Sequence, residues 1–124
     1  MFNDDEMKLI LSKDICRLSS LSANGWPHVV PVSYLYVNRK FYVPSHKRAK
    51  KVKNLKRNSK ATIVIDDEQT EVGLMIECDA RILEDNEAYT IKRYMESVKG
   101  WKNDENALII ELTPVRKASW SLKH

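Results

Sequence analysis

Residues 24–67, NGWPHVVPVSYLYVNRKFYVPSHKRAKKVKNLKRNSKATIVIDD, contain the pattern that decides the fold. An Asn-Gly turn leads into an apolar segment over residues 26–37, and a second apolar segment ends near Ser45. A basic segment with apolar residues at every third position follows, and ATIVID closes the stretch. Because Asn-Gly suits a hairpin turn and a three-residue apolar period suits a short helix, the pattern predicts strand, strand, helix and strand.

The rest of the chain adds strands on both sides of this stretch. Residues 15–22 are predicted to form a strand, and VGLMIECDARIL at residues 72–83 alternates like a half-buried strand. Segments 106–112 and 115–122 are predicted as two strands separated by Pro114. A short helix is expected near Asn3 or Asp4. A second one over residues 84–98 is expected to turn inward Ala88, Ile91, Tyr94, Met95 and Val98.

This set of elements predicts one domain over residues 1–124 of a mainly β class. About seven strands, joined mostly by short turns, with three flanking helices, are typical of an antiparallel meander closed into a small barrel. Alternating βαβ units are not indicated.

The positive charge of the chain is concentrated in one segment. Seven of the twelve residues from 46 to 57 are Lys or Arg, and none is acidic. The chain has 21 Lys and Arg against 17 Asp and Glu, so removing those seven leaves 14 bases against 17 acids. Proteins that cover a long polyanion spread basic residues over a face, so this local charge favours one small anion. A nucleic-acid-binding module using residues 46–57 is the alternative, but no aromatic residue is interleaved there to stack on bases.

The side chains do not indicate a catalytic centre of their own. His28, His46 and His124 lack the spacing of a metal site, and Cys16 and Cys78 are expected to be free buried thiols. Phosphate-binding glycine loops and nucleophile elbows are absent, so no catalytic residue can be named. Any hard chemistry would then come from a cofactor. The N-terminus lacks a signal-peptide run and no window approaches the ~20 apolar residues of a membrane span, which predicts a cytoplasmic protein with no membrane partner.

The order of the segments resembles the split-barrel flavin-binding family named after pyridoxamine 5'-phosphate oxidase. The likeness covers roughly residues 15–83 and rests on WPHVVPV, on Lys51-x-x-Asn54-Leu55 and on DARILED, with a weaker echo in PVRKASW. It implies an antiparallel split barrel that forms a homodimer and holds FMN at the subunit interface. It also implies an oxidoreductase acting on a small molecule. A deazaflavin or haem is the alternative cofactor.

The same resemblance implies which residues bind the cofactor. The flavin ring would lie along the second strand and its phosphate near the start of the basic helix, and a late aromatic would approach the partner's flavin. Carried over to this chain, the positions are Val30, Pro31, Val32, Ser33, Ser45, Lys50, Lys51 and Trp120. The chemistry agrees, since helix-start amides, a hydroxyl and two ammonium groups make an anion site.

Each of these residues also has a plainer interpretation. Lys50 and Lys51 could belong to a solvated helix face, and Trp120 could pack at an interface. His28 is either a proton donor on the ring strand or a packing residue. Ala49 stands where the family often has a second hydroxyl.

The sequence also departs from the oxidase proper at two further positions. Val30 stands where the oxidase carries an Arg, and Gly73 where it has a side chain that bonds the ring. These differences argue against pyridoxamine phosphate oxidase activity itself. The leading hypothesis is an FMN-dependent oxidoreductase of unknown substrate, and the alternative is a non-catalytic flavin carrier or sensor.

Overall fold

The computed structural model describes residues 1–121 and contains three helices and seven strands. In chain order they are α1 Asp4–Ser12, β1 Ile15–Leu21, β2 Pro27–Ser33, β3 Leu35–Val37, β4 Lys40–His46, α2 Lys50–Arg57, β5 Lys60–Asp67, β6 Val72–Leu83, α3 Asp85–Lys99 and β7 Ala107–Ser121. All strands join one antiparallel sheet in the order β2-β1-β5-β6-β7-β4-β3. The predicted mainly β class is confirmed.

The sheet curls so that β2 approaches β4, and the half-barrel closes around one apolar core. Alternate residues of the central strands fill this core, because successive side chains of a strand point to opposite faces. They include Leu18, Phe41, Val43, Ile63, Ile65, Leu74, Ile76 and Ile110. A second cluster lies under α3, where Met95 meets Leu35, Tyr42 and Ile109. This arrangement confirms the predicted split barrel.

The predicted long strand over residues 26–37 is divided in two at Tyr34. The Tyr34 amide donates to the Asp14 carbonyl at 3.1 Å, and its hydroxyl donates to the Ile10 carbonyl. Tyr34 is 1% exposed, and its bond to Asp14 lies in the β1–β2 register, in which Ser33 is opposite Ile15. The prediction of one strand here is wrong because the two halves pair with different strands: residues 27–33 pair with β1, and residues 35–37 pair with β4.

The two predicted strands around Pro114 are one strand, β7. Arg116 pairs with Glu77 and Pro114 pairs with Cys78, so Val115 is an extra residue at a register shift. A β-bulge accommodates a residue that cannot donate to the ladder, which explains why Pro114 does not end the strand. Leu122, the last residue of the predicted seventh strand, lies outside the described residues.

The inward face predicted for α3 is correct for only part of its list. Ala88 and Met95 are buried, whereas Tyr94 is 46% and Val98 is 53% exposed. At 3.6 residues per turn, Val98 and Tyr94 lie about 80° and 120° away from Ala88 around the helix. A helix that touches a sheet on one side buries only a narrow stripe, and these two residues lie beside it.

Candidate functional site

Helix α2 is fixed to one end of the barrel by buried contacts. Val52 and Leu55 are buried, and Asn54 Nδ2 donates to Ser20 Oγ at 3.1 Å. Arg57 donates to the Leu21 carbonyl at 2.9 Å and to Asn54 Oδ1 at 3.0 Å. The Asn and Leu of the K-x-x-N-L pattern therefore anchor the helix on β1, which sets where its first turn lies.

The first turn of α2 leaves backbone donors without acceptors. Ala49 is the N-cap residue and its side chain cannot cap the helix. The amides of Lys50 and Lys51 have no intrahelical acceptor at these positions. The helix dipole adds positive potential at the same end. Together they form a set of donors suited to an anion.

Lys51 is the distinctive cation of this turn. It is half-buried, and burial lowers the pKa of its ammonium group below the ordinary value of 10.5. No carboxylate pairs with Lys51 within residues 1–121. Other lysines differ: Lys60 pairs with Asp79 at 2.6 Å, and Lys56 approaches Glu84 at 3.9 Å. A partly desolvated ammonium without a counter-ion gains most from a bound anion.

Ser45 and Lys50 lie on either side of the turn from β4 to α2. Ser45 is 5% exposed and its Oγ donates to the His46 carbonyl at 3.1 Å. Lys50 is exposed. The His46 ring accepts from the Arg48 amide at 3.1 Å through Nδ1, which shapes the turn. One short segment therefore contains Ser45, Lys50 and Lys51. Lys51 is the less exposed of the two lysines.

Strand β2, the predicted ring strand, forms one edge of the sheet. Val30 and Val32 turn toward the core, whereas Pro31 and Ser33 are exposed on the other face. His28 pairs with Ser20, the residue that binds α2 through Asn54. At 3.3 Å per residue, Pro31 lies about 10 Å further along β2. Strand β2 therefore runs away from the barrel end at which α2 is anchored.

The outer face of the sheet carries exposed apolar residues on β1 and β2, beside charged residues such as Arg17, Glu77 and Arg116. One cross-strand row, Pro31, Arg17, Val64, Met75 and Ala118, follows from the strand registers. Large apolar side chains near it are exposed: Ile15 45%, Leu21 41%, Trp26 73% and Val29 58%. Monomeric proteins seldom expose so many clustered apolar groups.

Trp120 lies at the far end of this outer face. It pairs with Gly73 of β6 and is 40% exposed. The indole rests directly on the Gly73 backbone, since a Cβ there would lie 2.2 Å from its Cζ2 atom. No sequence pattern indicates this contact, because it depends on the register of two strands that are far apart in the chain.

The titratable groups near β2 do not form a catalytic set. His28 is half-buried, and its Nδ1 atom is buried without a hydrogen-bond partner among residues 1–121. Cys16 and Cys78 are buried free thiols, as predicted, and burial raises the pKa of each to about 12. Asp66 pairs with Arg17 at 3.1 Å, and Asp67 approaches Lys13 at 3.5 Å, so this acidic turn is used in surface ion pairs.

Within residues 1–121, no group of His, Cys, Asp or Glu side chains is arranged to hold a metal ion, and His124 lies outside that range. In the same range, every helix is too short or too polar to cross a bilayer.

The fold defines the class of protein as an antiparallel split barrel, and the start of its helix α2 carries donors suited to an anion. The family model described as pyridoxamine 5'-phosphate oxidase matches residues 3–121. The chain therefore belongs to the pyridoxamine 5'-phosphate oxidase family. A search of curated protein sequences found no significant match.

Solved structures agree on the fold. A candidate pyridoxamine 5'-phosphate oxidase from Listeria innocua gives a TM-score of 0.79 at 23% identity, covering 94% of this chain and 95% of that chain. The heme storage protein HutZ from Vibrio cholerae gives 0.73 at 18% identity, covering 98% and 95%. An F420 reductase gives 0.70 at 14% identity, covering 84% and 88%. At these identities the likeness concerns the fold alone.

Proposed function

We propose that this protein binds FMN and acts as an FMN-dependent oxidoreductase on a small molecule. The observation that carries the proposal is Lys51, a half-buried ammonium with no counter-ion among residues 1–121, beside the uncapped amides at the start of α2. A phosphomonoester would supply the missing negative charge and accept from those amides. The family membership supports a flavin as the molecule that carries this phosphate.

The residues at the start of α2 supply donors for the phosphate of FMN, and the exposed side of β2 supplies a surface for its ring. Lys50, Lys51 and two backbone amides are the donors for the phosphate. Ser45 would join them only after its hydroxyl turns away from the His46 carbonyl. For the ring, the edge strand β2 offers Pro31 and Ser33 on its exposed side, next to the apolar part of the outer face.

When bound, FMN would supply hydride transfer, which the chain's own side chains cannot perform. The chain would contribute binding and orientation. The α2 turn would fix the phosphate end, and Val30 and Val32, which face the core, would keep the β2 backbone rigid beside the ring. The backbone groups of residues 30–33 would then be the hydrogen-bonding groups nearest to the ring.

We also propose that the working unit is a homodimer with the cofactor groove between subunits. Support comes from the apolar part of the outer face, where Trp26 is 73% and Val29 is 58% exposed. A second copy seated on this face would bury those side chains and enclose a ring lying on β2. Trp120 of one subunit would then lie near the cofactor held by the other.

A non-catalytic flavin carrier or sensor is the second candidate. It is supported by the exposed side of β2, where Val29, Pro31 and Ser33 offer no titratable group to a substrate. A deazaflavin or haem is a further alternative, because solved relatives by fold include an F420 reductase and a heme storage protein.

The absorption spectrum and its response to nicotinamides separate these candidates. The protein is purified without added cofactor, then loaded with FMN and mixed anaerobically with NADH or NADPH. We expect two flavin bands, with slow bleaching by either nicotinamide. If only dithionite bleaches the bands while a wide panel of small reductants does not, the carrier or sensor function replaces the oxidoreductase. A Soret band in place of flavin bands would instead identify haem.

A further inference from the structure

A set of buried polar side chains crosses the barrel end beneath α2. Asn54 Oδ1 accepts from Arg57, so the Asn54 Nδ2 group is the donor that reaches Ser20 Oγ at 3.1 Å. Ser20 is 3% and Asn54 is 2% exposed. The Ser20 hydroxyl accepts this bond and donates to no acceptor within residues 1–121. A buried hydroxyl with an unused hydrogen needs an acceptor close by.

His28 supplies such an acceptor at the position opposite Ser20. The two residues are partners in the β1–β2 ladder, and His28 shares the core side of β2 with Val30 and Val32. Side chains at opposite positions on one face have Cβ atoms about 4.5–5.5 Å apart. The His28 Nδ1 atom is buried and has no hydrogen-bond partner in the described part of the chain. One spare donor and one spare acceptor therefore face each other across the ladder.

The burial of Nδ1 indicates which nitrogen of His28 carries the hydrogen. Among buried polar groups, an N–H without an acceptor is rarer than an acceptor without a donor. In a neutral imidazole one nitrogen is a donor and the other is an acceptor. Nδ1 is therefore the acceptor, and the hydrogen lies on Nε2. Of the two ring nitrogens, Nδ1 is the one buried without a partner among residues 1–121, so Nε2 lies at the surface of this half-buried ring.

The strand order places His28 beneath the first turns of α2. This helix follows β4 and is anchored on β1 through Ser20 and Leu21. Strand β2 pairs with β1 and approaches β4 where the half-barrel closes, so its first residues lie between the two ends of the helix. Three neighbouring strands span about 10 Å and eight helical residues about 12 Å, which agrees with α2 crossing the end of β2. His28 and Ser45, each on the core side of its strand, are the inward residues nearest to this end.

We propose that His28 is a further ligand of the phosphate at the start of α2, and this proposal rests on the proposed function above. When the phosphate is bound, Ser20 Oγ–H donates to His28 Nδ1, and His28 Nε2–H donates to a phosphate oxygen. Lys51 lies three residues before Asn54 and therefore on the same face of α2, the face turned toward Ser20. The hydrogen bonds then run in one direction, from Asn54 through Ser20 and His28 to the anion, so each bond strengthens the next. The competing explanation is that His28 only packs at the barrel end.

Two substitutions at His28 separate its two nitrogens. The amide of asparagine reaches the position of Nδ1, and the amide of glutamine reaches the position of Nε2. FMN and riboflavin are titrated into the full chain and into His28→Asn and His28→Gln, followed by flavin fluorescence. Riboflavin lacks the phosphate and is the internal control. We expect His28→Asn to weaken FMN about tenfold, the effect of one hydrogen bond to a charged group, and to leave riboflavin within about twofold. His28→Gln should keep both affinities within about threefold.

Two results of these titrations would overturn the proposal. If His28→Asn changed the binding of FMN and riboflavin alike, or changed neither, His28 would act on the fold alone and not on the phosphate. If His28→Gln lost as much FMN affinity as His28→Asn, Nε2 would not be the donor. Loss of the His28 effect with intact FMN binding would leave the proposed function standing, whereas failure of the unmodified chain to bind FMN would refute the proposed function and the role of His28 with it.

A measurement on the unmodified chain decides the matter if neither variant folds. Nitrogen-15 NMR of the imidazoles reports which nitrogen carries the hydrogen. In the cofactor-free protein we expect His28 to be protonated on Nε2, and we expect FMN to shift the Nε2 resonance more than riboflavin does. A hydrogen on Nδ1, or equal shifts with the two flavins, would overturn the proposal.

Discussion

Lys51 is half-buried at the start of α2 and has no counter-ion in the described part of the chain. Its place in the K-x-x-N-L pattern could be predicted from the sequence, and so could the inward turn of Leu55. The role of Asn54 could not, because its partner Ser20 lies 34 residues away on another strand. The partial burial of Lys51 follows from that anchor, and it distinguishes Lys51 from the exposed Lys53 on the same helix.

At this scale we predict that Lys51→Ala weakens FMN binding about ten- to hundredfold. The reason is the loss of a charge-assisted hydrogen bond, worth roughly 1.5–3 kcal/mol. Lys53→Ala is the matched control, since Lys53 is exposed on the same helix and should leave the affinity within about twofold. Flavin fluorescence titrations of both variants decide it, and the effect of Lys51→Ala should shrink in high salt. Equal losses of FMN affinity in the two variants would mean that the lysines of α2 attract FMN only through their overall charge, without a specific contact from Lys51.

Lys51 also predicts how the stability of the cofactor-free protein depends on pH. Burial lowers the folded-state pKa below 10.5, so the unfolded chain binds this proton more tightly than the folded chain. Lys51 therefore lowers stability at neutral pH, and this cost fades as the pH rises through the folded pKa toward 10.5. At pH 7 the free energy of unfolding of Lys51→Met, measured in urea, should equal or exceed that of the unmodified protein. The difference between the two should be smaller near pH 10. If Lys51→Met were less stable than the unmodified protein at pH 7, the result would contradict the claim that the Lys51 ammonium lacks a compensating partner.

At the scale of elements, the sequence pattern predicted which segments form strands better than where the strands end. The division at Tyr34 depends on a change of partner strand from β1 to β4, and the continuity of β7 depends on a bulge at Val115. Neither is visible in local periodicity, because both are decided by pairing with distant segments. The two errors cancel in the strand count, so the predicted number of strands is correct although the prediction lacked the break at Tyr34 and placed a break at Pro114 that does not exist.

The anchoring of α2 leads to a prediction about this element as a unit. Asn54→Ala removes the bond to Ser20 and leaves Arg57 with one acceptor fewer, and Asn54 is 2% exposed. We expect a loss of about 1–3 kcal/mol in the free energy of unfolding, together with weaker FMN binding. Asn103→Ala, at an exposed position, is the control and should change neither. Urea denaturation followed by circular dichroism measures the first quantity. A stability like that of the control would show that α2 is held by its apolar side alone.

For the whole molecule, the decisive feature is the uncovered outer face of the sheet. Helix α3 covers this face over Tyr42 and Ile109, while the part around Val29 and Ile15 stays exposed. The family resemblance gave the homodimer and the shared groove as expectations. The sequence alone could not identify the face, because alternation along one strand does not tell which of its two sides a helix will cover.

We predict a dimer with twice the 14.4 kDa chain mass in sedimentation at low micromolar concentration. Val29→Glu should shift it to the 14.4 kDa monomer and weaken FMN binding, because a charge would be buried in the interface. Val98→Glu is the matched control: Val98 on α3 is 53% exposed, against 58% for Val29, but it lies away from the outer-face rows. Dissociation by both variants alike, or a stable monomer of the unmodified chain, would refute an interface on this face.

The measurement that tests the central claim most directly is a paired titration of FMN and riboflavin into the cofactor-free protein, followed by flavin fluorescence. The two molecules share the ring and differ in the phosphate, so their ratio isolates the contribution of the α2 turn. We predict saturable binding of one FMN per chain, with riboflavin weaker by about tenfold or more. Binding of both flavins with equal affinity, or no saturable binding of FMN, would contradict a flavin site built on Lys51.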